Sequence, residues 1–463
     1  MSSLASRWLG NSAANLIGGL SAALFNVALP ALVSRHLSHS EFSAWSLAMQ
    51  VIAYVNLLGI GLQTATARAI AHANEQDDRQ QTLSTLRAAH RIGRWACGLG
   101  LLMAVSLAVL YPLVFPGIPA EVLQEFRWTL LIICCGTAFQ LLALVPMGVF
   151  QGLHRNISFV SVQVALRVVA VALVAIGAHA AFGMTGLAIV VGASTALLGP
   201  ANWLQLRRTV PWLAKFGEVA LERARVRQLL DACATLSVWS VSMLLVNSVG
   251  IVMVGRIAFQ SSGAYAVSMT AATVLAGLLN AVFAPLMTMG AAMHAVPERR
   301  PGIPRLLTRS TLACTAALHL LFAFIWLFHR PILRLWIGAS FVEQASPLLL
   351  VLVGAHALRN VAWPYALMLL ATGLNRRALW TGLAEGFGNL VATIVLGLRY
   401  GVVGVALGTL AGAAIGLLGS LLFNTRRTPE LTPHPLRFAL VGIVAPTLAA
   451  APVYALVWML LNR

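Results

Sequence analysis

Charge is what this sequence has least of. Only 10% of its 463 residues are Asp, Glu, Lys or Arg while 59% are hydrophobic, a composition that cannot cover a water-facing surface. Acidic residues are scarcest, thirteen against thirty-one basic ones, for a formal net charge of +18. Lysine is nearly absent too: Lys215 is the only one, so the positive set is arginine, whose planar fork matches phosphate oxygens. Acidic lipid or substrate phosphates are therefore fitting partners. No nucleic acid is expected, because the charges sit in short loops between apolar runs and form no basic domain. The five cysteines, Cys97, Cys134, Cys135, Cys233 and Cys314, lie in or beside apolar runs without metal-ligand spacing, so they are read as packing residues and no metal centre is expected. Long outer loops are missing as well. Glu41 stands alone, no nucleophile or metal constellation appears, and the chain is not expected to be an enzyme or to need a cofactor.

What is there instead is a succession of apolar windows, each of about 20 residues and so long enough to cross a hydrocarbon core of about 30 Å. Twelve form a regular array: near Gly10–Val33, Phe42–Thr64, Ile92–Phe115, Trp128–Phe150, Ile157–His179, Thr185–Leu206, Asp231–Gly255, Gly263–Thr288, Ser310–Phe328, Pro347–Ala371, Leu379–Leu398 and Val402–Phe423. A thirteenth lies near Phe438–Leu461, where Pro446 and Pro452 suggest a broken or interfacial helix. The first window follows Arg7 and is too long for a signal-peptide core, which predicts an uncleaved helix.

With the N-terminus in the cytoplasm, the inner loops hold eighteen Arg or Lys, among them Arg68, Arg155, Arg207, Arg208, Arg376 and Arg377. The outer loops hold five: Arg35, Arg256, Arg330, Arg334 and Arg399. That asymmetry predicts a multi-pass membrane protein with a cytoplasmic N-terminus.

Sliding the sequence on itself reveals a repeat at an offset of 221: Asn26 with Asn247, Arg35 with Arg256, Gly117 with Gly338, Gly152 with Gly373, Leu153 with Leu374 and Arg155 with Arg376. Past the fifth and eleventh windows the offset falls to 218, where Phe182-Gly183-Met184-Thr185-Gly186 lies over Tyr400-Gly401-Val402-Val403-Gly404. Six spans per repeat is an even number, so both halves enter the membrane in the same sense and should be related by an axis along its normal. The expected fold is an all-α polytopic membrane protein. It has an N-terminal six-helix bundle over residues 1–206, a basic cytoplasmic linker over 207–230, a C-terminal six-helix bundle over 231–424, and a basic loop and additional hydrophobic helix over 425–463.

This plan, with Gln151-Gly152-Leu153-His154-Arg155 closing the fourth window and Thr372-Gly373-Leu374-Asn375-Arg376 closing the tenth, resembles the multidrug/oligosaccharidyl-lipid/polysaccharide (MOP) exporter superfamily. Within it the chain is most similar to Wzx-type polysaccharide flippases, a likeness shared by Ser40-Glu41-Phe42 and by Leu57-Leu58-Gly59-Ile60-Gly61-Leu62 followed by Arg68. The resemblance covers roughly Gly10–Phe423 and implies a V-shaped transporter. Its cargo would be an undecaprenyl-diphosphate-linked oligosaccharide for O-antigen or exopolysaccharide assembly, moved from the cytoplasmic to the periplasmic leaflet. Membrane lipids, a polysaccharide polymerase and a chain-length regulator are implied partners. The rivals are a MATE-type drug or cation antiporter, which would want an acidic residue in the first span, and a lipid II flippase of the MurJ type, expected to have fourteen spans.

Charged side chains at mid-bilayer cost about 2.5–3.5 kcal/mol on insertion scales, so each needs a partner, water or a function. Arg167, Arg359 and Glu385 are three such residues. Gln163 and Arg167 share a helix face; His356, Arg359, Asn360 and Trp363 share another; Thr381, Glu385, Asn389 and Thr393 make a ladder at four-residue steps. Two readings stay open. Either the arginines line a wet cavity and bind a diphosphate, or one of them pairs with Glu385 and the stripes mediate helix packing. Glu385 is a candidate for proton coupling, and coupling to the membrane potential is an alternative drive. Asn26 and Asn247, within the stripes Asn15-Gly19-Ala22-Asn26 and Ser237-Ser240-Leu244-Asn247, are candidates for bonding a sugar or for packing. Arg87, Arg91 and Arg94 could recruit an anionic headgroup or simply snorkel to the surface. Pro30, Pro146, Pro285 and Pro364 are candidate kinks on which bundles could rock.

Overall fold

In a computed structural model the backbone is described for residues 2–462, and side chains from Ala14 onward except Ala214 and residues 235–239. The described residues are helical, with no strand. Two compact units emerge, Met1–Leu244 and Leu245–Arg463.

The first unit contains α1 (Ser2–Val33), α2 (His39–Asn56), α3 (Leu62–Glu75), α4 (Arg79–Val114), α5 (Ala120–Gln140), α6 (Leu144–Gly152), α7 (Asn156–His179), α8 (Met184–Ala196), α9 (Leu198–Thr209) and most of α10 (Arg223–Ile257). Local chemistry sets several boundaries. Ser38 and Glu41 form a reciprocal capping box that starts α2, and the Asp78 carboxylate accepts from the Gln81 amide to start α4. Short 3₁₀ turns, Leu57–Gly59 and Leu141–Ala143, break the second and fourth spans, and Gly61 enters α3 with φ of +80°. Beyond these breaks α3 and α6 approach closely. A methyl on Gly148 would lie 2.6 Å from the Gln63 carbonyl, and one on Gly152 2.6 Å from that of Ala67, so two glycines four residues apart let the backbones meet.

The second unit continues with α11 (Ser262–Phe283), α12 (Pro285–Ala295), α13 (Ile303–Ile337), α14 (Val342–Asn360), α15 (Trp363–Ala371) and α16 (Leu379–Gly419), followed by α17 (Thr425–Arg427), α18 (Pro435–Ala439), α19 (Ala445–Ala449) and α20 (Ala451–Leu461). Twelve helical stretches among the described residues are long and apolar enough to cross a membrane. One of them, Asn375–Arg427, is 53 residues long and holds both the eleventh and twelfth windows. Gly401, at φ +63° and ψ −144°, breaks it into a hairpin.

The last stretch, Pro435–Leu461, is one 27-residue apolar rod. A π-turn at Leu440–Val444 leads into Pro446, and α20 restarts ahead of Pro452, so the prolines bend the helix without ending it. It lies along α13. His319 on α13 stands 2.6 Å from the Tyr454 hydroxyl and 3.0 Å from that of Thr447.

The repeat is visible in the elements, with a different register at one turn. The nine-residue helices α6 and α15 each end in a left-handed residue, His154 (φ +56°) and Gly373 (φ +73°). In each, the next amide bonds back five residues, Arg155 to Phe150 and Leu374 to Leu369. The geometry thus equates His154, rather than Gly152, with Gly373. Gly152 instead packs against α3 and is the close-packing residue, not the turn residue.

The segment read as a linker is built onto the first unit. Val210, Leu213, Val226 and Leu229 join its apolar core, Trp203 stacks on Phe216 with ring centres 5.5 Å apart, and the division between units falls inside α10. Apolar residues within the basic segment account for this, because they bury against α4 and α9.

Candidate functional site

The two units carry separate polar centres. In the first, Arg167 sits midway along α7 and is half-buried against α1. Its Nη1 donates to the Gly18 carbonyl at 3.0 Å and to the Ser21 hydroxyl at 2.7 Å. Three ion pairs occur among the described residues, and Arg167 belongs to none. The charge is therefore anchored by neutral acceptors and carries no counter-carboxylate. Gln163, one turn before it, turns its amide toward Met147 Sδ at 3.6 Å, and Asn156 at the start of α7 donates to Asn15 Oδ1 of α1 at 3.1 Å. Asn26 is exposed further along α1.

In the second unit, Arg359 at the end of α14 donates from Nε to Glu385 Oε1 of α16. With side-chain exposures of 15% and 9%, the pair is largely withdrawn from its surroundings. His356 is buried beside it, its Nδ1 3.4 Å from Arg359 Nη1. Arg359 Nη2 and His356 Nε2 are buried without a hydrogen-bond partner, so the centre retains unused polar capacity. Asn360 is buried and turned inward, its amide donating to the His356 carbonyl at 2.7 Å.

The ladder on α16 faces glycine. After the turn at Gly401 the helix returns along itself. A methyl on Gly412 would fall 2.6 Å from Asn389 Cβ, and methyls on Gly404, Gly408 and Gly416 would collide with Leu396, Thr393 and Glu385. Thr393, Asn389 and Glu385 are thus packed against Gly408, Gly412 and Gly416. Asn389 also donates across to the Leu245 carbonyl at 2.8 Å, on the helix that carries half-buried Asn247. The Ser237 side chain lies outside the described residues. Those glycines recur every fourth residue, a close-packing signal readable in the sequence; Ser21 and Gly18 as anchors for Arg167 had no such signal.

The basic residues of α4 divide their tasks. Arg87 is half-buried, its Nη1 donating to the Gly217 carbonyl at 2.7 Å, so it holds the basic segment down. Arg91 lies over the Trp95 ring at 5.4 Å, and Arg94 is exposed. Arg155 likewise donates to the Thr209 carbonyl at 2.9 Å. Among the described residues no cluster of three or more His, Cys, Asp or Glu could hold a metal ion.

Residues 8–291, more than half of the chain, match the polysaccharide biosynthesis protein family. No curated protein matches by sequence. Among solved structures, the inward-facing conformation of a multidrug resistance MATE family transporter of the MOP superfamily superposes with a TM-score of 0.76 at 17% identity, covering 89% of this chain and 95% of that one. The lipid II flippase MurJ, in an inward closed conformation, gives 0.68 at 13% identity, covering 98% and 100%. A MOP superfamily transporter from Pyrococcus furiosus, described by a reversed polarity of its binding pocket, gives 0.53 at 16% identity, covering 90% and 95%. At these identities the likeness shows the fold, which is that of MOP superfamily transporters.

Proposed function

The chain belongs to the polysaccharide biosynthesis protein family, and from that premise we propose that it is a Wzx-type flippase of the bacterial inner membrane. Its cargo is an undecaprenyl-diphosphate-linked oligosaccharide, carried from the cytoplasmic to the periplasmic leaflet for O-antigen or exopolysaccharide assembly. Its N-terminus is cytoplasmic, as the loop arginines argue. The observation that carries the reading is Arg167: a mid-span cation held by Gly18 and Ser21 without a carboxylate, with the rest of its guanidinium available to an anionic group.

A drug exporter for cations fits this chain less well. Glu385 is the one acidic residue deep within a span, and Arg359 already engages it. The headgroup enters a polar lumen while the polyprenyl tail stays in lipid, which spares a long hydrocarbon chain from water. Two drives are available. With an inside-negative potential, moving net negative charge outward is favoured by about 2.3 kcal/mol per charge per 100 mV, and downstream consumption by a polymerase with its chain-length regulator draws the equilibrium forward. Proton coupling at Glu385 would require the Arg359 pair to open.

The test is translocation of a fluorescent undecaprenyl-diphosphate oligosaccharide in proteoliposomes, with a cationic dye assayed in parallel. Each charge-assisted hydrogen bond contributes about 1.5–3 kcal/mol, so Arg167→Ala should slow lipid translocation roughly 10- to 100-fold at matched insertion. Export of the dye by a native protein that leaves the lipid unmoved would replace this reading with the exporter one.

A further inference from the structure

The helix pair that holds Arg167 carries a second feature, at its C-terminal ends. Just beyond α1 and at the last residue of α7, the rings of His36 and His179 stand with centres 5.5 Å apart and planes tilted by 42°. Both side chains are exposed. Each ring is tethered to its own helix, His36 Nδ1 to the Leu32 carbonyl at 2.8 Å and His179 Nδ1 to the Ala175 carbonyl at 3.0 Å.

A carbonyl oxygen only accepts, so Nδ1 carries the hydrogen in both rings. The lone pair of each neutral imidazole is then on Nε2. One ring nitrogen donating to a backbone carbonyl while the other is left as a ligand is the arrangement that orients metal-binding histidines and raises their basicity. The separation is close. Metal–nitrogen bonds of about 2.0–2.1 Å at a tetrahedral angle place the centres of two imidazoles sharing one ion roughly 5 Å apart, about half an ångström less than the spacing here. The C-terminal ends of two helices add partial negative charge that favours a cation.

We propose that His36 and His179 form a two-histidine site for a divalent transition-metal ion, of the class Zn²⁺, Ni²⁺ or Cu²⁺ for which imidazole is a suitable ligand. Water completes the coordination shell, since both rings are open to solvent. The ion ties α1 to α7 at one end of the contact that positions Arg167. The site stands on ring geometry and tautomer alone and is independent of what the protein transports.

The experiment uses the full chain in detergent, purified without a polyhistidine tag and stripped with chelator. Zn²⁺ and Ni²⁺ are titrated by calorimetry, and the thermal midpoint is followed with and without Zn²⁺. His36→Phe and His179→Phe keep an aromatic ring in the pair but remove the ligand nitrogen; as both positions are exposed, their metal-free midpoints should match the native one. The expected result is one tight ion per chain, at least tenfold weaker binding in either variant, and a Zn²⁺-induced rise in midpoint that both variants lose. Absence of saturable binding in the native protein, or equal affinity in native and variant proteins, overturns the proposal.

Discussion

Arg359 Nε donates to Glu385 Oε1, joining the end of α14 to the first arm of the α16 hairpin with neither side chain more than 15% exposed. Across the hairpin, Gly416 leaves room for that carboxylate, since a methyl there would collide with Oε2. Removing one partner of a buried pair strands the other charge, at a cost of about 3–5 kcal/mol. Arg359→Ala and Glu385→Ala should each lower the thermal midpoint sharply, and the double variant should lose less than the two singles combined. Strict additivity in that cycle would show the pair to be uncoupled.

Glycine on the returning arm of α16 should be irreplaceable, and glycine on open helix faces should not. Gly412→Ala places a methyl 2.6 Å from Asn389 Cβ, and forcing two backbones apart costs about 1–3 kcal/mol. Gly98 in α4 has nothing within 4 Å of the same construction. Gly98→Ala should therefore stabilise the protein by up to about 1 kcal/mol. Thermal unfolding of the two variants side by side distinguishes packing from propensity.

Ser21 holds Arg167 at 2.7 Å and the Gly18 carbonyl holds it at 3.0 Å. Ser21→Ala leaves the second anchor, so its translocation rate is expected between those of native protein and Arg167→Ala. A rate as low as that of Arg167→Ala would assign Ser21 a role beyond positioning.

Arg87 clasps the Gly217 carbonyl from α4. An exposed hydrogen bond of this kind contributes about 0.5–1.5 kcal/mol, so Arg87→Ala should open the segment around Lys215 several-fold more often while the global midpoint barely moves. The readout is the initial rate of tryptic cleavage at Lys215 and Arg223. An unchanged rate would mean that the apolar contacts of Leu213 and Val226 suffice.

The C-terminal rod is tied to α13 through one histidine. The Thr447 hydroxyl already donates to the Ile443 carbonyl at 2.7 Å, so His319 Nε2 must donate to Thr447 and His319 Nδ1 accept from Tyr454. Tyr454→Phe removes a single donor and should cost about 1 kcal/mol. Hydrogen exchange over residues 451–461 is expected to quicken in that variant, and protection equal to the native protein would place the anchor elsewhere.

How much of this was legible beforehand follows from the range of the interactions involved. The spans were readable because bilayer thickness imposes a length on each apolar run, independent of what the run packs against. The break at Gly401 was foreshadowed by its place in the repeat, and the capping residues Ser38 and Asp78 act within one turn of their own helices. The polar ladder on α16 was visible as a stripe, and the glycines that receive it recur every fourth residue, yet only the hairpin brings the two together.

The sequence by itself determined an all-helical membrane chain with an internal repeat, a strong excess of arginine, and the short list of side chains that a bilayer does not tolerate without cause. The tertiary structure decided which of those side chains are paired. Arg359 found Glu385 and Arg167 found only Ser21 and a carbonyl, although the two arginines look alike in sequence. It also set His154, rather than Gly152, in the position equivalent to Gly373 and brought His36 against His179. Hydropathy and helical period are local properties of a chain, whereas charge pairing and ring contact depend on which helices become neighbours, and that is set by packing between segments 26 residues apart for Arg359 and Glu385 and 146 apart for Arg167 and Ser21.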